Sequence, residues 1–134
     1  MDNNELHLIA TAWVDFHQRC RPGTGDVDFR TVRDLETGED WAAQKLLDLI
    51  VNEPGVALQI IDLIISGSPD EWILTNLGAG PIEELFYIDN ADIIGQLEKM
   101  AKRYPGALSA FQNVNQGSLS DLAETTLNRI IRGS

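Results

Sequence analysis

His17 and Cys20, three positions apart, are the residues of this sequence closest to a catalytic pairing. On a helix that spacing lets an imidazole and a thiol touch, as a cysteine nucleophile and its base require. Asp15, two residues from His17, points elsewhere on the same helix, and His7 is nearly three turns away. Cys20 falls on an apolar stripe, where burial leaves a thiol inert. The pattern therefore favours structural residues over a catalytic or metal site.

The run from Gly78 to Pro81, followed by Glu83 and Glu84, is a second place where chemistry is conceivable. Glycines ahead of a helix can cradle a phosphate with backbone N–H groups. The run lacks the Lys and Ser/Thr of a nucleotide loop, and two carboxylates would repel an anion. We therefore interpret it as a sharp turn in which Gly78 and Gly80 permit close helix approach, with Pro81 in the first turn of the next helix and Glu83 accepting from its unpaired N–H groups. A small enzyme or ligand-binding domain with its site at this turn is the alternative.

Acidity is the dominant property of the chain. Its net charge is −11, and Leu46 to Glu98 contains no Lys, Arg or His. Such a charge attracts basic partners and opposes binding to nucleic acid or an anionic membrane. Neither zinc-ligand spacing nor a calcium loop is present, so we expect no cofactor. The ten carboxylates of this stretch are Asp48, Glu53, Asp62, Asp70, Glu71, Glu83, Glu84, Asp89, Asp92 and Glu98.

A basic protein is the partner that this composition predicts. We expect an acidic protein-binding module, most concretely a bacterial immunity protein that neutralises a cationic toxin such as a nuclease, with no catalytic residue. A structural adaptor or homodimer that uses an apolar helix face is a further alternative, and monomer and homodimer both stay open. The predicted partner contacts are Asp70, Glu71, Trp72, Glu83, Glu84, Phe86, Asp89 and Asp92.

The length and amino-acid composition of the chain are those of an ordinary globular domain. The 134 residues suffice for one hydrophobic core, and 43% of them are hydrophobic. Cys20 is the only cysteine, which suits a reducing compartment. The N-terminus lacks the pattern of a signal peptide, and Val56 to Ile65 is too short to span a bilayer. We expect a cytoplasmic protein with a single all-helical domain over 1–134 and a mobile loop at 21–38.

Helical periodicity runs through nearly the whole chain. Apolar residues from Leu6 to Cys20 recur every three or four positions, which predicts a first helix capped by Asn3 or Asn4. Ser68 is the predicted cap of a middle helix. In the last helix we expect Leu119, Leu122, Leu127, Ile130 and Ile131 to face inward, and we expect Trp13, Trp41 and Trp72 to pack in the core. The predicted fold is all-α, a compact irregular bundle of seven or eight short helices with repeat-like antiparallel pairs.

The segment Gly78–Phe86 resembles the signature of an uncharacterised family of small bacterial helical proteins, which share a central Ala-Gly-Pro-Leu-Glu-Asp-Leu-Leu stretch (a domain of unknown function). Ala12–His17 resembles the early Trp-containing helix of that family, and Ser66–Trp72 resembles its Ser-Pro-Asp lead-in. The resemblance implies a helical bacterial domain and no established activity. Glu98, Ala101 and Pro105 stand where the family has the same residues.

The chain departs from that family in two places. The His-Gly that often follows the signature is replaced near Ile88–Asn90, and the terminal Trp is missing around Val114. Any role of the family's histidine therefore does not carry over to this chain.

Overall fold

The computed structural model describes residues 1–21 and 40–133, and every regular element in these ranges is helical. The predicted all-α fold is confirmed. The stretch predicted as a mobile loop, 21–38, lies outside the described residues except for Arg21. The α-helices are α1 (Asn3–Arg19), α2 (Trp41–Asn52), α3 (Pro54–Ser66), α4 (Glu71–Leu77), α5 (Glu83–Tyr87), α6 (Ala91–Arg103), α7 (Leu108–Gln112) and α8 (Asp121–Arg132).

The core forms around α3, the most apolar helix. Ala57, Ile60 and Ile61 are completely buried, and α3 packs against α1, α2 and α6. The stripe from Leu6 to Cys20 buries one face of α1, as its period predicts. The cap of α1 is Asp2, and the prediction of Asn3 or Asn4 is wrong. Because the helix begins at Asn3, the side chain of Asp2 is the one placed to accept from the Glu5 N–H, at 2.8 Å.

Two predicted core residues are exposed. Trp13 is buried and Trp72 is partly buried, but Trp41 at the start of α2 is 44% exposed. Leu122, in the first turn of α8, is 47% exposed, whereas Leu127 and Ile130 on the same helix are buried. Both exposed residues lie in the first turn of their helices.

The predicted turn at Gly78–Pro81 does not exist. Helices α4 and α5 are joined by a π-helical segment, Gly78–Ile82, so that 71–87 form one continuous helical run. The wider π turn accommodates Pro81, which has no N–H to donate. Gly78 is required for another reason: a Cβ there would lie 1.8 Å from the carbonyl oxygen of Ala110 in α7. This glycine permits close helix packing rather than a turn.

Helix caps fix the remaining boundaries. Asn90 caps α6 by accepting from Asp92 and Ile93, and Ser120 caps α8 by accepting from Ala123. The predicted cap Ser68 is wrong: Asp70 caps α4, accepting from the Ile73 N–H at 3.0 Å. Ser68 instead takes a left-handed conformation, with φ 55°, in the turn that precedes it.

Candidate functional site

The ten carboxylates of the acidic stretch separate into paired and unpaired groups. Asp62 pairs with Arg103, Asp70 with Arg21 and Glu98 with Arg129, over N–O distances of 2.7, 3.0 and 2.5 Å. Within the described ranges the other seven form no ion pair. Three of the ten are therefore partly neutralised by arginines, and the rest determine the charge that a partner meets.

Asp70, Glu71 and Trp72 lie beside the C-terminal end of α1. Gln18 and Arg21 each donate to Asp70 Oδ2 at 3.0 Å, and Trp72 Nε1 donates to the carbonyl of His17 at 2.7 Å. The hydrogen bond from Gln18, followed by that from the Ile73 N–H, lowers the pKa of Asp70. Asp70 and Trp72 join α1 to α4 through these hydrogen bonds, whereas Glu71 between them is exposed.

Glu83, Glu84 and Asp89 lie at the other end of the helical run. Seventeen helical residues separate Asp70 from Ile88, which corresponds to about 25 Å. The predicted contact residues therefore do not form one patch. Phe86 is 0% exposed, and its ring belongs to the core rather than to any surface.

Three hydrogen bonds tie α5 to the connection between α7 and α8. The Asn115 N–H donates to Glu83 Oε1 at 2.7 Å, and Tyr87 Oη donates to the Asn115 carbonyl at 3.3 Å. Ser120 Oγ donates to Asp89 Oδ1 at 2.5 Å. Asp89 has a φ of 56°, a left-handed conformation that aspartate and asparagine tolerate better than most residues. These contacts bring two distant parts of the sequence together at one end of the molecule.

We call this surface the acidic end and define it by its apolar and carboxylate members. Tyr87, Ile88 and Leu122 are 37%, 39% and 47% exposed. The segments that form it lack basic residues, because neither Leu46–Glu98 nor Tyr104–Asn128 contains Lys, Arg or His. The absence of basic residues from Tyr104–Asn128 is the sequence signal that could have indicated that the start of α8 belongs to this acidic surface. The carboxylates of the acidic end are Glu83, Glu84, Asp89 and Asp121.

Asp92 belongs to a different feature, an open groove of about 890 Å³ between α1, α3 and α6. Leu6, Val56 and Met100 give the groove an apolar floor. Its polar lining includes His7, Gln59, Gln96 and Lys99.

His17 and Cys20 lie at the C-terminal end of α1, where both side chains are buried. The imidazole is buried and stacks on Trp13, with 3.8 Å between ring centroids, and its Nδ1 donates to the Trp13 carbonyl at 2.9 Å. Burial lowers the pKa of His17, which keeps the ring neutral. Cys20 is buried as well. The burial of both residues agrees with their interpretation as structural residues, which stays a prediction.

Neither a metal cluster nor a membrane span is found in the described parts of the chain. No group of three or more His, Cys, Asp or Glu residues there is placed to hold a metal ion. No helix among the described residues is long and apolar enough to cross a membrane.

Comparison of the sequence with known proteins identifies a family whose function is unknown. Residues 31–131 match the model of a family of unknown function (DUF6869), so the chain belongs to that family. This agrees with the predicted membership of an uncharacterised family; helix α1 lies outside the matched range. No curated protein and no solved structure matches the chain.

Proposed function

We propose that this chain is a protein-binding module whose acidic end receives a basic protein partner. The observation that supports this proposal is the exposure of Tyr87, Ile88 and Leu122 on two segments that hydrogen bonds join and that contain carboxylates but no basic residue. Aromatic and aliphatic side chains supply most of the affinity at protein interfaces, and the surrounding charge selects the partner and accelerates encounter.

The concrete form of the proposal is a bacterial, cytoplasmic immunity protein that neutralises a cationic toxin such as a nuclease. A nuclease has Lys and Arg in its substrate groove because it binds phosphate. The carboxylates of the acidic end compete for those same cations, while Tyr87 and Leu122 contact apolar surface beside the groove. Glu83, Glu84 and Asp89 remain proposed contacts. Asp70, Glu71 and Trp72 lie elsewhere, and Phe86 is not accessible.

A charge-neutralising pair of substitutions tests the surface directly. Glu84→Gln with Asp89→Asn removes two charges from the acidic end, and asparagine suits the left-handed φ at position 89. The matched control, Asp48→Asn with Glu53→Gln, makes the same charge change on α2 and at its C-cap, where both carboxylates are exposed. Both double variants keep side chains of similar size.

The measurement is capture from an extract of the producing organism at low and high salt, followed by titration of the captured protein. We expect one basic protein that salt releases, weaker binding to the acidic-end variant by about tenfold, and unchanged binding to the control. Loss of the captured protein's nuclease activity at one equivalent of wild-type chain would support the immunity role. Equal weakening by both double variants would show that net charge alone is responsible and would contradict a defined surface.

A homodimer or adaptor is the second candidate, and exposed apolar residues on α2 favour it. Trp41, Leu47 and Val51 are all exposed, and Leu47 and Val51, four positions apart, share one side of that helix. Exposed apolar clusters of this kind occur at interaction surfaces. The alternative of a ligand site at the Gly78–Pro81 turn is weakened, because the segment is helical and Gly78 and Pro81 are buried.

A further inference from the structure

The groove between α1, α3 and α6 differs electrostatically from the rest of the protein. The acids that line it are Asp62 and Asp92, and the bases are Lys99 and Arg103, so its formal charge balances in a chain of net charge −11. The groove therefore attracts a basic protein less strongly than the acidic end does. A neutral or zwitterionic ligand suits it better.

The ion pairs leave one acid and one base available at separate places in the groove. Asp62 is already bound by Arg103 at 2.7 Å and by the Tyr104 hydroxyl at 3.3 Å. Asp92 accepts from Gln96 Nε2 at 2.9 Å, a neutral partner, and Lys99 forms no ion pair with any residue that the structure describes. Asp92 and Lys99 thus keep their charges for a ligand.

The spacing of these two residues along α6 matches the length of a short peptide. Asp92 and Lys99 lie seven positions apart on one face of α6, which corresponds to about 10 Å along the helix. An extended tripeptide spans about 10 Å from its ammonium to its carboxylate. Gln59 and Gln96 supply amides that can pair with peptide N–H and C=O groups, above the apolar floor formed by Leu6, Val56 and Met100.

We propose that the groove binds a short peptide with free termini. Its ammonium lies against Asp92, its carboxylate against Lys99, and an apolar central side chain on the floor. The volume of about 890 Å³ is sufficient for a ligand of that size. Occupancy of the groove does not depend on a protein partner at the acidic end.

The test uses the full chain and the tripeptide Ala-Leu-Ala, with calorimetry and amide NMR as the measurements. We expect saturable binding, shifted resonances from α3 and α6, and affinity about tenfold lower when either terminus is acetylated or amidated. Asp92→Asn should weaken the peptide with free termini but not its N-acetyl form, and Lys99→Gln should weaken it but not its C-amide form. A merely structural role of either residue would weaken all forms alike.

A blocking variant provides the second arm. A Cβ at Gly55, on the groove rim, meets nothing within 4 Å, so Gly55→Phe projects into the groove without a backbone clash. We expect it to abolish peptide binding while the folded chain retains its helical circular dichroism. Asp48→Asn on α2, outside the groove, is the control and should bind normally. The proposal is overturned if no saturable binding occurs at millimolar peptide, if the blocked peptides bind equally well, or if folded Gly55→Phe still binds.

Discussion

At the scale of single residues, the two glycines of the π-helical segment illustrate how identical residues serve different purposes. Gly78 allows α4 to approach α7 so closely that no side chain fits between them. Gly80 has nothing within 4 Å of the position of its missing Cβ. The sequence predicted a sharp turn with close helix approach for both, because glycine serves both purposes and nothing in the local sequence shows which glycine another helix contacts.

Substitution by alanine should separate these two glycines. Gly78→Ala places a methyl group 1.8 Å from the Ala110 oxygen, and we expect it to lower the free energy of unfolding by at least about 3 kcal/mol. Gly80→Ala should raise it by about 0.5–1 kcal/mol, because alanine is the better helix former. Urea unfolding followed by tryptophan fluorescence measures both. If folded Gly80→Ala loses a binding activity, the site at this segment regains support.

At the scale of elements, helix ends are defined by side-chain caps that sequence predicts only to within a residue or two. Asn90 and Ser120 cap α6 and α8, and the caps of α1 and α4 lie one or two residues from the predicted ones. Ser68, Pro69 and Asp70 are all residue types that are common at helix N-termini. The position of Gln18 and Arg21 beside Asp70 helps decide which residue becomes the cap.

The cap of α4 can be tested at two positions. Asp70→Ala should cost about 1 kcal/mol of unfolding free energy at pH 7, whereas Ser68→Gly should be neutral or stabilising because glycine suits a φ of 55°. Since the pKa of Asp70 is lowered in the folded state, the ionised cap stabilises the protein above pH 3.8. The difference between wild type and Asp70→Ala should therefore shrink as pH falls below 3.8 through that lowered pKa. A larger effect at Ser68 in urea titrations would contradict this assignment.

At the scale of the whole molecule, charge and apolar exposure are distributed unevenly. The acidic end combines carboxylates with Tyr87, Ile88 and Leu122, the groove is balanced in charge, and α2 presents apolar residues. These surfaces suit different partners, so a loss of binding at one should leave the others unaffected. The oligomeric state of the chain depends on whether the α2 face is covered by a second copy.

Sedimentation equilibrium distinguishes a monomer from a homodimer formed through α2. If the α2 face is the interface, Leu47→Gln with Val51→Gln should convert a dimer into a monomer and leave the helical circular dichroism intact, because both side chains are exposed. Tyr87→Ala at the acidic end is the control and should not change the mass. A monomeric wild type across the micromolar range would remove the homodimer alternative.

The sequence by itself determined the class of fold, because helical periodicity and the apolar stripe from Leu6 to Cys20 are local properties of neighbouring residues. It also determined the excess of carboxylates, which is a matter of composition. Only the tertiary structure decided that Asp70 pairs with Arg21, that Phe86 is buried, and that Asp89 meets Ser120 across thirty residues of chain. These outcomes depend on which helices pack together, and packing is set by contacts between residues far apart in sequence.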